Sequence, residues 1–122
     1  MSNGFIDPKE RHAMAKEGME FELLAPAGFE WDVEKSRRNV ADRGIDFDDA
    51  KEVFYGPVIL RRSDRNNEER WLAVGFWENR LIAVVFTRRA DVIRIISARR
   101  ARKNEEREYR NAQMGRPSEG QD

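Results

Sequence analysis

The sequence lacks cysteine, has a single histidine and contains no long apolar run. Because cysteine is absent, disulfides and thiolate metal sites are excluded, and the composition is typical of a reducing compartment. The histidine, His12, precedes the predicted domain, so Ser-His-Asp and Cys-His nucleophilic sites are excluded as well. No stretch has the length of a membrane span or of a signal-peptide core. We therefore expect a cytoplasmic protein that contacts no membrane.

Metal and cofactor motifs are also missing. No residues have zinc-ligand spacing, and no glycine-rich loop follows a predicted strand. Two carboxylate clusters, Asp46 with Asp48 and Asp49 and Glu105 with Glu106, lie near predicted helix starts, where the positive helix N-terminus explains them without magnesium. The sequence thus predicts neither a metal site nor a cofactor.

The net charge of zero conceals an asymmetry along the chain. Residues 1–60 hold 8 Lys/Arg against 13 Asp/Glu, whereas residues 61–122 hold 15 against 10. The cations of the second half are almost all arginine, whose rigid fork of donors suits phosphate. The pattern favours contact with nucleic acid, although a solvated, salt-bridged surface would have the same composition.

The composition divides the chain into three parts. Residues 1–28 are expected to be a weakly packed or mobile N-terminal extension with a short helix from Asp7 to about Glu17. One folded domain is expected over 29–113, followed by a disordered tail over 114–122.

Hydrophobic periodicity predicts an α+β domain. Apolar spacing of three and four residues predicts helices near 33–43 and 47–55, and a charged helix is expected over 99–112. Runs of β-branched and aromatic residues, joined in part by hairpin-length links, predict a small, twisted, mostly antiparallel four-stranded sheet. Its strands are expected at 58–62, 70–77, 81–87 and 92–98, with the helices packed on one face and a further short strand near 29–32.

Arginines gather around this predicted sheet. Alternation along the last strand directs Arg94 towards solvent, and other arginines stand where strands begin or end, namely Arg70, Arg88, Arg89 and Arg99. Such a group could hold a phosphodiester and stabilise the charge that develops on it. The alternative is pairing within the fold, with Glu68, Glu69, Asp91 and Glu105.

Cations also mark the predicted start of the last helix, where carboxylates are normally preferred. They are Arg99, Arg100, Arg102 and Lys103. A phosphate bound at this helix N-terminus would explain their position, because backbone N–H groups point there as well.

Four segments of the sequence together resemble the BrnT family. They are "FEWD" at 29–32, "EER" at 68–70, "LIAVVFTRR" at 81–89 and "IRIISARRA" followed by glutamate and tyrosine. These are ribonuclease toxins of bacterial toxin–antitoxin pairs, and the resemblance covers residues 29–110. It implies a RelE-like fold, an RNA substrate and an acidic, DNA-binding antitoxin of the BrnA type as partner, with which the chain could form a hetero-oligomer.

The resemblance also implies a metal-independent endoribonuclease, in which the 2′-OH of the RNA attacks the adjacent phosphorus. Glu69 or Lys35 would be the base, and Arg70, Arg89 and Arg99 would stabilise the phosphate. Flanking phosphates would be bound by a second group, namely Arg94, Arg100, Arg102 and Lys103. Tyr109 could be an acid or a core residue.

Two departures from the family pattern stand out. Arg43 occupies a position before the helix-ending glycine where the family often has histidine, and the loop "SDRNNEER" lacks the histidine often found there. A weakly active or inactive homologue, acting as an antitoxin-bound corepressor or interaction module, is therefore the alternative function.

Overall fold

The computed structural model describes residues 20–115. The helix expected at 7–17 and most of the expected C-terminal tail lie outside these residues. The elements follow in the order β1 (Gly28–Glu30), α1 (Val33–Arg43), α2 (Phe47–Ala50) with a 3-10 turn (Lys51–Tyr55), β2 (Ile59–Arg62), β3 (Trp71–Trp77), β4 (Arg80–Arg89), β5 (Val92–Arg100) and α3 (Lys103–Gly115). No helix within residues 20–115 is long and apolar enough to cross a membrane.

Within residues 20–115 the sheet is mixed and has five strands, in the order β1-β5-β4-β3-β2. The expectation of an α+β fold whose last three strands form an antiparallel meander is confirmed, but the expected number of four strands is wrong. Strand β1 adds to the sheet by parallel pairing with β5, from Gly28 opposite Val92 to Glu30 opposite Arg94. A three-residue strand that pairs with a partner more than sixty positions away leaves no local signal of its place. The RelE-like relationship stays a prediction.

The end of β5 also differs from the expectation. The strand continues to Arg100, which pairs with Ile82, and the amide of Ala101 still donates to the Leu81 carbonyl. Helix α3 therefore begins only at Lys103, and Arg99 and Arg100 lie on the strand rather than in a helical first turn. Backbone pairing with the long strand β4 is the reason, because each paired residue extends the ladder.

Residues next to α1 and α2 cap the ends of these helices. The Asp32 side chain accepts hydrogen bonds from the amides of Glu34 and Lys35 at the start of α1. Gly44 ends this helix at a φ of 77°, a left-handed conformation that favours glycine. Asp46 caps α2 in the same way, accepting from the amide of Asp49.

Two apolar layers enclose the sheet, one on each face. Alternate residues of β3 separate them, since Trp71 and Ala73 belong to the layer under α1 and α2, whereas Leu72 and Val74 face α3. The expectation that all helices pack on one face is therefore wrong. Apolar periodicity also predicts a core made of Trp31 and ten further residues; the ten are buried, whereas Trp31 packs edge-on against Phe47 and stays half-buried. The buried ones are Phe47, Val53, Phe54, Leu72, Val74, Ile82, Val84, Phe86, Ile93 and Ile95.

The described end of the N-terminal extension contacts the domain. Glu22 exchanges two backbone hydrogen bonds with Val58, beside β2. The ring of Phe21 lies 4.8 Å from that of Tyr109, centroid to centroid, and Leu24 packs against the core on the α1 side. These residues therefore pass from one face of the sheet to the other before β1 begins.

The aromatic pair Phe54 and Phe86 provides a test of this core. Their rings meet edge to face at 5.1 Å, and Phe86 has no exposed surface. Replacing Phe86 by alanine is expected to lower the free energy of unfolding by about 3–5 kcal/mol, because it leaves a cavity. Denaturant unfolding measures this loss. Tyr55→Ala, at a ring that is 63% exposed, is the control and should cost much less.

Candidate nucleic-acid interface

The two faces of the sheet are covered unequally. Helices α1 and α2 with the 3-10 turn close one face, while α3 packs on β2 and β3 of the other. The part of the second face built by β4 and β5 is left open beside Val85 and Ser97. This open part of the sheet forms the floor of a concave surface.

The concave surface has a volume of about 530 Å3 and lies between α1, the loop after β2 and the open end of the sheet. Of the described residues that line it, one is a carboxylate, Asp42, and six carry positive charge. The six are Lys35, Arg38, Arg43, Arg65, Arg99 and Arg102. We call this surface the basic concavity; an excess of cations on a concave wall attracts polyanions.

A bulge in β5 shapes the floor of the basic concavity. Ser97 pairs with Val85 but Ile95 pairs with Phe86, so β5 has one residue more than β4 at this point, Ile96. Both Ile96 and Ser97 line the concavity. Bulges redirect side chains and increase the local twist, which here turns two consecutive residues towards the open face.

The buried side chain of Asn39 holds α1 against β5. Its Nδ2 donates to the carbonyl oxygens of Ile45, at 2.7 Å, and of Ala98, at 2.9 Å. Its Oδ1 accepts from the Ala98 amide at 3.2 Å. Because Asn39 thereby fixes the helix to the strand, the charged face of α1 is kept at one distance from the floor.

Glu105 organises the other wall. Its carboxylate has no exposed surface and accepts two hydrogen bonds of 2.9 Å from Arg99, one of 2.9 Å from Arg61 and one of 2.8 Å from the Arg102 amide. Burial alone raises the pKa of Glu105, but the hydrogen bonds and the charges of Arg99 and Arg61 outweigh burial and hold the pKa below its usual value. The helix N-terminus thus receives a protein carboxylate, where a bound phosphate was expected.

The predicted catalytic residues do not all come together. Lys35 and Arg99 line the basic concavity, and so does Arg102 from the predicted RNA-binding set. Arg70 and Glu69 stand before β3 and do not line it. Arg70 pairs with Glu68 at 2.8 Å. The Glu69 carboxylate lies 3.6 Å from the guanidinium group of Arg62, at the end of β2.

Arg89 and Arg94 lie at another point of the open face, beside Glu30. Arg94 is opposite Glu30 in the β1–β5 pair, with 3.5 Å between its Nη1 and Oε2 of the carboxylate. Arg89 approaches the same oxygen to 3.6 Å and is largely exposed. Arg100 and Lys103 are exposed and do not line the concavity.

Tyr109 is buried in the layer under α3. Its hydroxyl donates to the Pro57 carbonyl at 3.1 Å, and its ring meets that of Phe76 edge-on at 5.3 Å. Burial raises the pKa of the Tyr109 hydroxyl. These contacts are those of a core residue, which is one of the two roles predicted for Tyr109.

Sequence reasoning missed Arg38, Arg43 and Arg65. Arg38 and Arg43 follow Lys35 at spacings of three and eight, so all three share one face of α1, and this periodicity was available in the sequence. Arg43 and the loop containing Arg65 are the two places where the family resemblance leads one to expect histidine. Both of these arginines line the basic concavity.

Comparison with known proteins agrees with an interface for nucleic acid. Residues 31–105 match a family model described as the ribonuclease toxin, BrnT, of type II toxin–antitoxin systems. The match spans more than half of the chain, and the chain belongs to this family. The resemblance seen in the sequence is thereby confirmed, and with it a ribonuclease class that implies an RNA substrate and an antitoxin partner. No curated protein matches the chain.

The buried carboxylate predicts how stability depends on pH. Because the folded-state pKa of Glu105 is lowered, its contribution to stability is complete above the unfolded-state value near 4.5 and is lost as pH falls through the folded-state pKa. At neutral pH, Glu105→Gln is expected to lower the free energy of unfolding by about 3 kcal/mol, since two arginines lose their partner. Denaturant unfolding at neutral and acidic pH measures both effects.

The difference in the free energy of unfolding between wild type and Glu105→Gln should therefore shrink as the pH is lowered below about 4.5. Glu106→Gln, in the same turn of α3 but partly exposed, is the matched control and should differ little from wild type at either pH. A Glu105→Gln deficit that is independent of pH would contradict this assignment.

Proposed function

We propose that the chain is a metal-independent endoribonuclease toxin that binds RNA across the basic concavity. The observation that carries the proposal is the gathering of six cationic side chains and a single described carboxylate on one open concave surface. Counterion release by such a surface favours binding of a phosphodiester chain. Membership in a family of ribonuclease toxins supplies the reaction class.

The reaction we propose uses the nucleophile of the RNA itself. The 2′-oxygen attacks the adjacent phosphorus, the bond to the 5′-oxygen breaks, and the products end in a 2′,3′-cyclic phosphate and a 5′-hydroxyl. The protein then has to move two protons and stabilise the charge on the phosphoryl oxygens. No metal is required by this chemistry.

The lining residues suggest separate tasks. Lys35 is our proton donor to the leaving 5′-oxygen, because an ammonium group carries a transferable proton whereas guanidinium stays charged. Arg38, Arg43, Arg65 and Arg102 would bind phosphates through their exposed donors. Arg99 has its terminal nitrogens engaged by Glu105, so we assign it a positioning role.

The roles predicted for Glu69, Arg70 and Arg89 stay predictions. The first two do not line the basic concavity and pair with neighbours before β3. Internal pairing of arginines also favours the alternative function, an antitoxin-bound homologue of weak or absent activity. Arg70 with Glu68 and Arg99 with Glu105 are the pairs that support it.

An RNA-cleavage assay separates the two functions. The purified chain should cleave single-stranded RNA in the presence of a chelator, leaving cyclic phosphate ends. Lys35→Ala should lower the rate by about 100-fold or more because the leaving group loses its proton donor. Arg38→Ala and Arg65→Ala should weaken RNA binding and its salt dependence.

Arg37→Ala is the matched control for these variants. Arg37 is on the same helix as Lys35, but it is exposed, pairs with Glu34 and does not line the basic concavity. It should bind and cleave RNA like wild type. Cleavage that disappears with chelator and returns with magnesium would contradict the proposed chemistry. Absence of any cleavage by wild type would favour the alternative function.

The partner we propose is an acidic, DNA-binding antitoxin of the BrnA type that covers the basic concavity. Opposite charges steer association, so the association rate should fall as salt is added. Charge reversal by Arg38→Glu and Arg65→Glu together should slow association with the co-expressed antitoxin, measured by stopped-flow mixing. Arg37→Glu should have little effect. An unchanged rate and salt dependence in the double variant would place the antitoxin elsewhere.

A further inference from the structure

We propose that Glu30 is the base that takes the proton from the 2′-hydroxyl, with Arg89 and Arg94 holding the reacting phosphate beside it. This inference rests on the proposed ribonuclease function and adds to it the group that function still lacks. The described residues contain no histidine, and the basic concavity offers one carboxylate. A carboxylate can accept this proton, and its surroundings distinguish Glu30 from the other described carboxylates.

The first observation is an incompletely bonded carboxylate. Oε2 of Glu30 is buried, yet it has no hydrogen-bond partner among the residues that the structure describes. The side chain as a whole is 37% exposed, so the carboxylate is reached from the open face while its inner oxygen is shielded. This oxygen therefore keeps acceptor capacity that the described residues do not fill.

The second observation is the pair of guanidinium groups beside this carboxylate. The Nη1 atoms of Arg94 and Arg89 lie 3.5 and 3.6 Å from Oε2 of Glu30, which is beyond the usual length of a hydrogen bond. Their donors are thus not committed to Glu30 and can turn to a phosphate. A base and a phosphate clamp stand together here, as attack by a 2′-oxygen on its own phosphorus requires.

The third observation is the position of this group along the RNA path. Arg94 lies two residues before Ile96, about 7 Å along the strand, and Ile96 lines the basic concavity. Lys35 follows Glu30 by five residues, in the first turn of α1, and lines the concavity as well. An RNA strand across the concavity would therefore reach Glu30 at the end where α1 begins.

Other carboxylates near the open face fit this role less well. Glu105 is fully buried and saturated by two arginines and a backbone amide. Glu69 is exposed, stands before β3 and does not line the basic concavity. Asp42 lines the concavity but is exposed near the end of α1, seven residues and about 10 Å of helix from Lys35.

The proposed step balances with these residues alone. The 2′-O–H proton passes to the Glu30 carboxylate as the 2′-oxygen forms a bond to phosphorus. The bond from phosphorus to the 5′-oxygen breaks, and Lys35 gives its proton to that oxygen. Glu30 then releases its proton to water, and Lys35 takes one back.

The test uses an RNA oligonucleotide that wild type cleaves at one mapped bond, and a copy with sulfur in place of the bridging 5′-oxygen. Sulfur leaves as a stable anion and needs no proton. Glu30→Gln should lower the cleavage rate of both substrates by about 100- to 10,000-fold, because attack still lacks its base. Lys35→Ala should be slow only on the oxygen substrate. Glu34→Gln, exposed on α1, is the matched control and should cleave both normally.

Three further measurements exclude indirect effects. Binding of a copy with a 2′-deoxynucleotide at the cleavage site should be unchanged in Glu30→Gln, since the amide keeps the size of the side chain. Glu30→Asp keeps the charge and should fold like wild type. Its cleavage rate should lie between those of wild type and Glu30→Gln, because the shorter side chain holds the carboxylate farther from the 2′-hydroxyl. Thermal unfolding of each variant reports on folding.

The outcomes distinguish the inference from the function on which it rests. If wild type cleaves and Glu30→Gln retains the rate, or regains it on the sulfur substrate, Glu30 is not the base and the ribonuclease proposal stands. If Glu30→Gln does not fold, a Glu30→Asp rate equal to that of wild type overturns the assignment. If wild type cleaves no RNA, the proposed function and this inference fail together.

Discussion

The fully buried carboxylate of Glu105 is the contact on which the arrangement of this domain depends. It binds Arg99 of β5, Arg61 of β2 and the backbone at the start of α3, so one side chain joins strands on both sides of the sheet centre to the C-terminal helix. Burying a charged carboxylate costs free energy unless the charge is paired, and here each carboxylate oxygen of Glu105 accepts hydrogen bonds. It also fixes how far α3 extends over the sheet, and hence which part of the face stays open.

The extent to which the sequence predicts this molecule differs between fold and site. Capping residues such as Asp32 and Gly44, the hairpin-length links and the β-branched runs are local signals, and the elements they predict are present. The place of β1 depends on pairing with β5, and the extent of β5 depends on pairing with β4. Neither partner is visible from the segment itself, which is why the strand number and the position of Arg99 were wrong.

The candidate site follows the same division. Lys35 could be found because the family pattern contains it, and Arg38 and Arg43 share its helix face at a spacing that the sequence displays. Arg65 comes to the concavity only through the path of its loop, and Glu30 only through parallel pairing that sets it opposite Arg94. Charge counting located the excess of arginine in the second half of the chain, but α1, from the acidic half, supplies three of the six cations of the concavity.

Asn39 has a consequence for how the domain meets other chains. Strand β5 runs from Val92 to Arg100, but β1 pairs only with its first three residues, so the outer edge of the remainder would otherwise be an open template for another strand. The Asn39 amide occupies both the N–H and the carbonyl of Ala98 on that edge, as the backbone of a neighbouring strand would. A second polypeptide can extend the sheet there only by displacing this side chain, which protects the domain against edge-to-edge aggregation.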